Sequence, residues 1–250
     1  MSKLTGKVAV VTGASKGIGA AIAEHLGAEG AQVVVNYASS KRDADAVVQR
    51  ITAKGGKAIA VQGDVSKPAD VARLFGETKR AYGKVDILVN NAGVFEFVAL
   101  DGITPQHFHR LFDINVLGLL LTTREAVKLF GAEGGSILNI SSVVGQMPSP
   151  GGAVYSATKA AVDAITISLS QELGPKKIRV NSLNPGLVLT EGVRTAGLEE
   201  SDFRRHVEAK TPLGRVAQPE DIARAAVFFA SADSGWVSGQ ALLVAGGFRQ

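Results

Sequence analysis

Three side chains that can take part in proton transfer stand in one short stretch of the chain: Ser142, Tyr155 and Lys159. Tyr155 and Lys159 are four residues apart, a spacing that places both on one face of a helix. An ammonium beside a phenol favours the phenolate, so we expect Lys159 to lower the pKa of Tyr155 from its usual value near 10. Such a phenol can exchange a proton with an alcohol or carbonyl oxygen near neutral pH. Because a solvated helix can carry the same pair by chance, the interpretation depends on the rest of the chain.

Short apolar runs that alternate with helical segments must position these side chains. Continuous runs of Val, Ile and Leu are typical of strands buried on both faces, and therefore of a parallel sheet. We predict strands at 8–12, 32–36, 57–61, 86–90, 136–141, 179–183 and 241–244, and a long helix at about 105–130. The fold class is thus α/β, a single doubly wound domain over 1–250, with ligands at the carboxyl ends of the strands. The strand at 136–141 would bring the hydroxyl of Ser142, or of its neighbour Ser141, to that edge.

A glycine-rich loop follows the first predicted strand and opens the first helix. Glycines at this place allow a tight turn, and the helix N-terminus attracts anions, so the loop predicts a pyrophosphate site. The spacing is G-x-x-x-G-x-G, and its position after the first strand favours nucleotide binding over a plain turn. The candidate cofactor residues here are Gly13, Ser15, Lys16, Gly17, Ile18 and Gly19.

The end of the second strand indicates which dinucleotide is bound. An acid there would bind a ribose 2′-hydroxyl and repel a 2′-phosphate. The segment after Asn36 has no acid before Asp43, and it offers Ser39 and Ser40. Together with Lys16, and with Lys41 or Arg42, these hydroxyls could receive a 2′-phosphate, so we expect NADP(H) as the cofactor.

In order and spacing, the motifs resemble those of the short-chain dehydrogenase/reductase family along the whole chain, and in particular its 3-oxoacyl-carrier-protein reductase and glucose-dehydrogenase-like branch. The resemblance rests on T-G-A-S-K-G-I-G at 12–19, Asp64-Val65, Asn90-Asn91-Ala92-Gly93, Asn115, Ser142, Tyr155 with Lys159, and Asn184-Pro185-Gly186 with Thr190. One departure is Tyr37, which stands near the place of the usual acid after the second strand.

The resemblance implies a role for each matching residue. Tyr155 would be the general acid in ketone reduction, Lys159 would bind the nicotinamide ribose, and Ser142, thirteen residues before Tyr155, would orient the carbonyl. Asn115 would hold a water in a proton relay, although an amide in an apolar helix also fits a structural role. The remaining cofactor contacts implied are Asp64, Val65, Asn91, Ala92, Gly93, Pro185, Gly186, Val188 and Thr190.

Mostly apolar residues should line the substrate pocket, which favours a ketone over a densely hydroxylated sugar. They follow the strand ends and are Val94, Phe95, Glu96, Val143, Val144, Met147 and Leu187. A loop-rich insert at 191–213, here called the lid, would close over the site. The leading hypothesis is an NADPH-dependent carbonyl reductase that also runs as an alcohol dehydrogenase. The alternatives are a 3-oxoacyl-carrier-protein reductase, a glucose or polyol dehydrogenase, and a nucleotide-binding regulator without turnover.

Composition bears on possible metal sites, on partners and on where the protein is located. The 250 residues contain no cysteine, which excludes disulfides and thiolate metal sites, and the four histidines are too scattered for a metal site. The net charge of +4 comes from interleaved charges without a basic aromatic patch, so we expect no nucleic-acid partner. No apolar run is long enough for a membrane helix, and we expect a cytoplasmic protein. The family resemblance implies a homotetramer formed through residues 225–229 and 246–250, and an acyl carrier protein is a conceivable partner.

Overall fold

One parallel sheet of seven strands forms the centre of the molecule. The computed structural model describes residues 2–195, 197 and 199–249. The strands lie in the order β3-β2-β1-β4-β5-β6-β7. Their bounds are β1 Val8–Val11, β2 Gln32–Tyr37, β3 Lys57–Gln62, β4 Ile87–Asn90, β5 Gly135–Ile140, β6 Ile178–Pro185 and β7 Ala241–Val244.

The sheet is buried on both faces, as the apolar runs predict. All four residues of β1 are fully buried, and they alternate between two cores because successive side chains point to opposite faces. Ala9 and Val11 belong to the core beneath the first and last long helices, whereas Val10 belongs to the core on the other face. This arrangement confirms the doubly wound α/β class.

Helices cover both faces of the sheet. Proline occupies the first turn of α3, α4 and α9, where its missing N–H costs no hydrogen bond. At the other end of α3, Gly83 terminates the helix in the left-handed conformation with φ of 80°. The helices are α1 Gly17–Ala28, α2 Lys41–Ala53, α3 Pro68–Tyr82, α4 Pro105–Phe112, α5 Gly118–Val127, α6 Ala153–Leu173, α7 Glu191–Thr195, α8 Asp202–Lys210 and α9 Pro219–Ala230.

Two parts of the chain differ from the prediction. The long helix expected at about 105–130 is divided, because a π-helical turn at Asp113–Leu117 separates α4 from α5. Such a wide turn is common at functional sites, and this one carries Asn115. The lid, expected to be rich in loops, contains the two short helices α7 and α8, while Ala196 and Leu198 lie outside the described residues.

The strand order places a crevice above the middle of the sheet. The chain reverses direction across the sheet between β1 and β4, so the loops after these two strands diverge to opposite sides. None of the helices in the described part of the chain has the length and apolar character that a membrane crossing requires. Within the same residues, no group of three or more acidic or histidine side chains is arranged to hold a metal ion.

Candidate active site

A cleft of about 770 Å³ lies at the carboxyl ends of the strands β1 to β6. It brings together every predicted cofactor and catalytic residue except Asn115. The predicted residues that line it are Gly13, Ser15, Lys16, Gly17, Ile18, Gly19, Ser39, Ser40, Asp64, Val65, Asn91, Ala92, Gly93, Ser142, Tyr155, Lys159, Pro185, Gly186, Val188 and Thr190.

Ser142 and Tyr155 meet in the cleft although they come from different elements. Ser142 follows β5 in an extended conformation, and Tyr155 lies in the first turn of α6. Their side chains are hydrogen-bonded, a contact that lowers the pKa of Tyr155. The neighbouring hydroxyl of Ser141 is used differently, since it donates to the Lys159 carbonyl at 3.1 Å. Of the two serines, Ser142 is therefore the one that shares a hydrogen bond with the phenol.

Lys159 is buried beside Tyr155, with 7% of its surface exposed. Its Nζ lies 5.8 Å from the centre of the Tyr155 ring and donates to the Ile140 carbonyl at 2.9 Å. Burial lowers the pKa of Lys159 to about 8, and the nearby Asp163 carboxylate opposes this shift.

The expectation that Lys159 lowers the pKa of Tyr155 differs from the structure. Burial raises the pKa of Tyr155 to about 12, and the hydrogen bond from Ser142 only partly offsets the effect. The physical reason is that the loss of hydration of the buried phenolate raises the pKa of Tyr155 more than the neighbouring groups lower it. Tyr155 is consequently a neutral phenol at pH 7, and Lys159 is predominantly an ammonium.

Asn115 lies behind the cleft, and neighbouring groups bind both ends of its amide. Its Oδ1 accepts from the Val94 N–H at 2.8 Å, while Nδ2 donates to the Val94 carbonyl at 2.9 Å and to Thr158 at 3.1 Å. These bonds connect the loop after β4 to helix α6. A separate cavity of about 10 Å³, lined in part by Asn115, Lys159 and Thr12, lies between Asn115 and the cleft.

The glycine loop has the shape that an anion site needs. Gly13 and Gly17 adopt positive φ values of 60° and 57°, and a Cβ on Gly13 would lie 2.8 Å from the Cα of Ala92. The helix N-cap, Lys16, forms no side-chain cap, so the first N–H groups of α1 remain available to an anion.

Two polar residues that sequence reasoning missed hold this loop. Asn36 accepts from the Gly13 N–H at 3.2 Å and donates to the Gly63 carbonyl at 3.0 Å. Thr12 Oγ1 accepts from the N–H groups of Asn91 and Ala92, both at 3.0 Å. The signal for Asn36 was an amide within an otherwise apolar strand, which requires internal partners when buried.

Lys16 of the glycine loop and Ser39 and Ser40 after β2 all line the cleft, whereas Lys41 and Arg42 do not. Lys41 is instead paired with Asp45 at 2.7 Å. Tyr37, which replaces the expected acid, is buried in the core. Asp64, one of the cofactor contacts that the family resemblance implies, accepts from the hydroxyl and N–H of Ser66 through Oδ1.

The opposite end of the cleft is largely apolar. Phe95 and Phe97 flank the Tyr155 ring, with centroid distances of 6.3 and 5.9 Å. Glu96 is the one predicted pocket residue that does not line the cleft, because it is paired with Arg110. Helix α8 belongs to the lid that was expected to close over the site, but sequence reasoning did not name the residues of α8 that line the cleft. Those residues are Phe203, His206, Val207 and Lys210. Two further lining residues were also not named: Phe97, which follows β4, and Phe248, near the end of the chain.

Comparisons with known proteins show the family to which the chain belongs. A family model described as Enoyl-(Acyl carrier protein) reductase matches residues 13–249. An uncharacterized oxidoreductase of Methylorubrum extorquens is 57% identical, with 100% of both chains aligned. Versicolorin reductase 1 of Aspergillus parasiticus is 41% identical over 98% of this chain and 97% of its own.

The chain is also similar to solved structures of dehydrogenases. A short chain dehydrogenase from Burkholderia cenocepacia, determined in complex with NADP, is 34% identical, covers 98% of each chain and superposes with a TM-score of 0.92. The fold, the cleft at its strand ends and the full-length similarity together establish that this chain is an oxidoreductase of the short-chain dehydrogenase/reductase family.

Proposed function

We propose that the protein is an NADPH-dependent ketone reductase that also catalyses the reverse oxidation of an alcohol. The observation that carries the proposal is the contact of Ser142 with Tyr155, beside buried Lys159, at one end of the long cleft. A phenol that is neutral at pH 7 is suited to donate a proton to a carbonyl oxygen. This pairing of acid and hydroxyl has no evident use in a nucleotide-binding regulator without turnover.

The residues of the cleft fit a dinucleotide phosphate. The glycine loop at 13–19 would hold the pyrophosphate, because no side chain caps the first N–H groups of α1. Lys16, Ser39 and Ser40 would bind the 2′-phosphate, and Lys159 and Tyr155 would bind the nicotinamide ribose. The remaining proposed contacts are Asp64, Val65, Asn91, Ala92, Gly93, Pro185, Gly186, Val188 and Thr190. NADP(H) would supply the hydride when bound.

The proton chemistry belongs to this chain. Tyr155 would donate its proton to the carbonyl oxygen while Ser142 holds that oxygen by a hydrogen bond. Lys159, charged below pH 8, would stabilise the resulting phenolate.

A proton must then return to Tyr155. The cavity between Asn115 and Lys159 measures about 10 Å³, close to the space that one water molecule occupies. We assign to it the water of the proton relay. Since the Asn115 amide is already bound by Val94 and Thr158, its side chain would shape this cavity rather than move the proton.

For the substrate, the proposal specifies a bulky apolar ketone, preferably one with rings. Phe95, Phe97 and Phe203 are 41%, 48% and 52% exposed towards the cleft, which suits offset or edge-to-face contact with a flat substrate. The name of the Aspergillus relative, versicolorin reductase, is consistent with this choice. The description of the family model instead favours a second candidate, an acyl thioester on a carrier protein.

We also propose that the protein assembles as a tetramer in the cytoplasm. Trp236 is fully exposed, and Phe228 and Leu242 are 39% and 45% exposed near the end of the chain. We take these three exposed apolar side chains as candidates for the interface between copies.

A substrate screen tests the activity. Oxidation of NADPH would be followed by its absorbance with a bicyclic aromatic ketone, with an acetoacetyl thioester, and, in the reverse direction, with glucose and NADP. We expect the highest kcat/KM for the bicyclic ketone. A higher value for the thioester would select the second candidate, and turnover of glucose alone would contradict the proposed substrate class.

A further inference from the structure

A carboxylate outside the predicted site connects the elements that carry the catalytic side chains. Asp163 lies on α6 one turn beyond Lys159. Its Oδ2 accepts from Nδ2 of Asn184 at 2.8 Å, and its Oδ1 lies 3.2 Å from the hydroxyl of Ser182. Both partners belong to β6 and are completely buried. The carboxylate therefore fixes the catalytic helix to the sheet through groups that have no access to bulk water.

The same network extends to the segment that carries Ser142. The amide of Asn184 also approaches the Ser142 carbonyl at 3.4 Å, and its Oδ1 lies 2.9 Å from the Ser182 hydroxyl. The single proton of that hydroxyl can serve either Asp163 or Asn184. Asn184 thus stands between the carboxylate on α6 and the backbone of Ser142.

We propose that Asp163 is a positioning residue for the reduction: its carboxylate sets the distance between Ser142 and Tyr155 and keeps Lys159 positively charged. The inference rests on the proposed function, since it assumes that these three groups act together on a ketone. It assigns Asp163 no contact with substrate or cofactor.

The charges around Lys159 support this role. Burial lowers the pKa of Lys159, and Asp163 is the charged group that raises it. Other charged or titratable groups lie on elements packed against α6, and each of them has its own partner or is partly exposed. Arg110 of α4 is paired with Glu96, and Asp113 of the π-helical turn is half-buried and lies 3.9 Å from His109. On the same face, His107 of α4 is partly buried, while on β6 the guanidinium of Arg179 donates to Phe229, Ser231 and Ser234.

Two variants separate the carboxylate's charge from its hydrogen bonds. Asp163→Asn keeps the size of the side chain but removes its charge, whereas Ser182→Ala removes one hydrogen bond and leaves the charge. For Asp163→Asn we expect kcat for ketone reduction at pH 7 to fall about tenfold with little change in KM, because a hydrogen bond to a charged group is lost. The alkaline limb of the kcat profile should also move to lower pH, since Lys159 loses its proton more readily. Ser182→Ala should lower kcat without moving that limb.

Asp233→Asn is the matched control, because this exposed carboxylate pairs with Lys3 far from α6 in the sequence. Its kinetics and pH profile should equal those of the wild type. If Asp163→Asn does not fold, Asp163→Glu serves instead: it retains the charge, so the limb should stay in place while kcat falls.

A second readout needs no turnover. The Lys159 ammonium can be titrated by NMR of the lysine side chains in the free protein, with Lys159→Gln as the assignment control. We expect the pKa of Lys159 to be lower in Asp163→Asn than in the wild type. An unchanged pKa and an unmoved limb in a folded Asp163→Asn protein, or a limb that moves in Asp163→Glu, would overturn the inference. Failure of the proposed function looks different, because the wild type would then reduce no ketone while the lysine titration still reported on Asp163.

Discussion

Replacing Lys16 by alanine should weaken the use of NADPH and leave the use of NADH almost unchanged. Of the three basic residues near the end of β2, Lys16 lines the cleft, whereas Lys41 and Arg42 do not. A hydrogen bond from a charged group is worth about 1.5–3 kcal/mol, which corresponds to roughly 10- to 150-fold. Because Lys16 is exposed and partly screened by water, we expect the lower end, about a tenfold fall in kcat/KM for NADPH.

Lys41→Ala is the matched control for this experiment. Its ammonium is paired with Asp45 at 2.7 Å and does not line the cleft, so its loss should change kcat/KM for NADPH less than twofold. Both variants and the wild type would be compared by initial rates with NADPH and with NADH on one ketone. The reasoning would be refuted if Lys16→Ala lowered both cofactors equally, if the two lysine variants behaved alike, or if the wild type preferred NADH.

Three further predictions follow from the geometry. Lys159 has a pKa of about 8 and is proposed to act as an ammonium, so kcat for reduction should be constant at low pH and fall above pH 8. The measurement is a profile of kcat from about pH 6 to about pH 10, and a kcat that rises above pH 8 would contradict the role of the charge. Gly19→Ala should weaken NADPH binding at least about tenfold in a fluorescence titration, because the new Cβ would lie 2.6 Å from the Gly13 carbonyl oxygen. Gly76→Ala in α3 is the control, since its Cβ meets nothing within 4 Å; it should raise the free energy of unfolding by about 1 kcal/mol without affecting NADPH binding. If the proposed tetramer forms through the region around Trp236, Trp236→Glu should lower the mass measured by light scattering, and an unchanged mass would contradict this interface.

Local patterns were sufficient to predict much of this molecule. The buried strands follow from uninterrupted apolar runs, and the glycine loop follows from its position between β1 and α1. The contact between Ser142 and Tyr155 could be anticipated, because Ser142 follows the carboxyl end of β5 and Tyr155 lies in the first turn of the next long helix, α6.

The features that the sequence did not reveal depend on distant packing. The π-helical turn at Asn115 coincides with hydrogen bonds to Val94 and Thr158, partners that no local propensity indicates. The lid was expected to cover the site, but the sequence did not indicate that Phe203 and Lys210 of α8 would line the cleft, because this depends on how the lid packs against the rest of the fold. The high pKa of Tyr155 likewise reflects its burial, which the four-residue spacing from Lys159 could not indicate.

The central claim is that Tyr155 supplies the proton, and Tyr155→Phe tests it most directly. This change removes one oxygen and keeps the ring between Phe95 and Phe97. We expect kcat for the reduction of a ketone to fall by at least about a thousandfold, because the acid is lost, while NADPH binding by fluorescence titration stays within about threefold of the wild type. A variant that binds NADPH normally and still turns over at the wild-type rate would contradict the account.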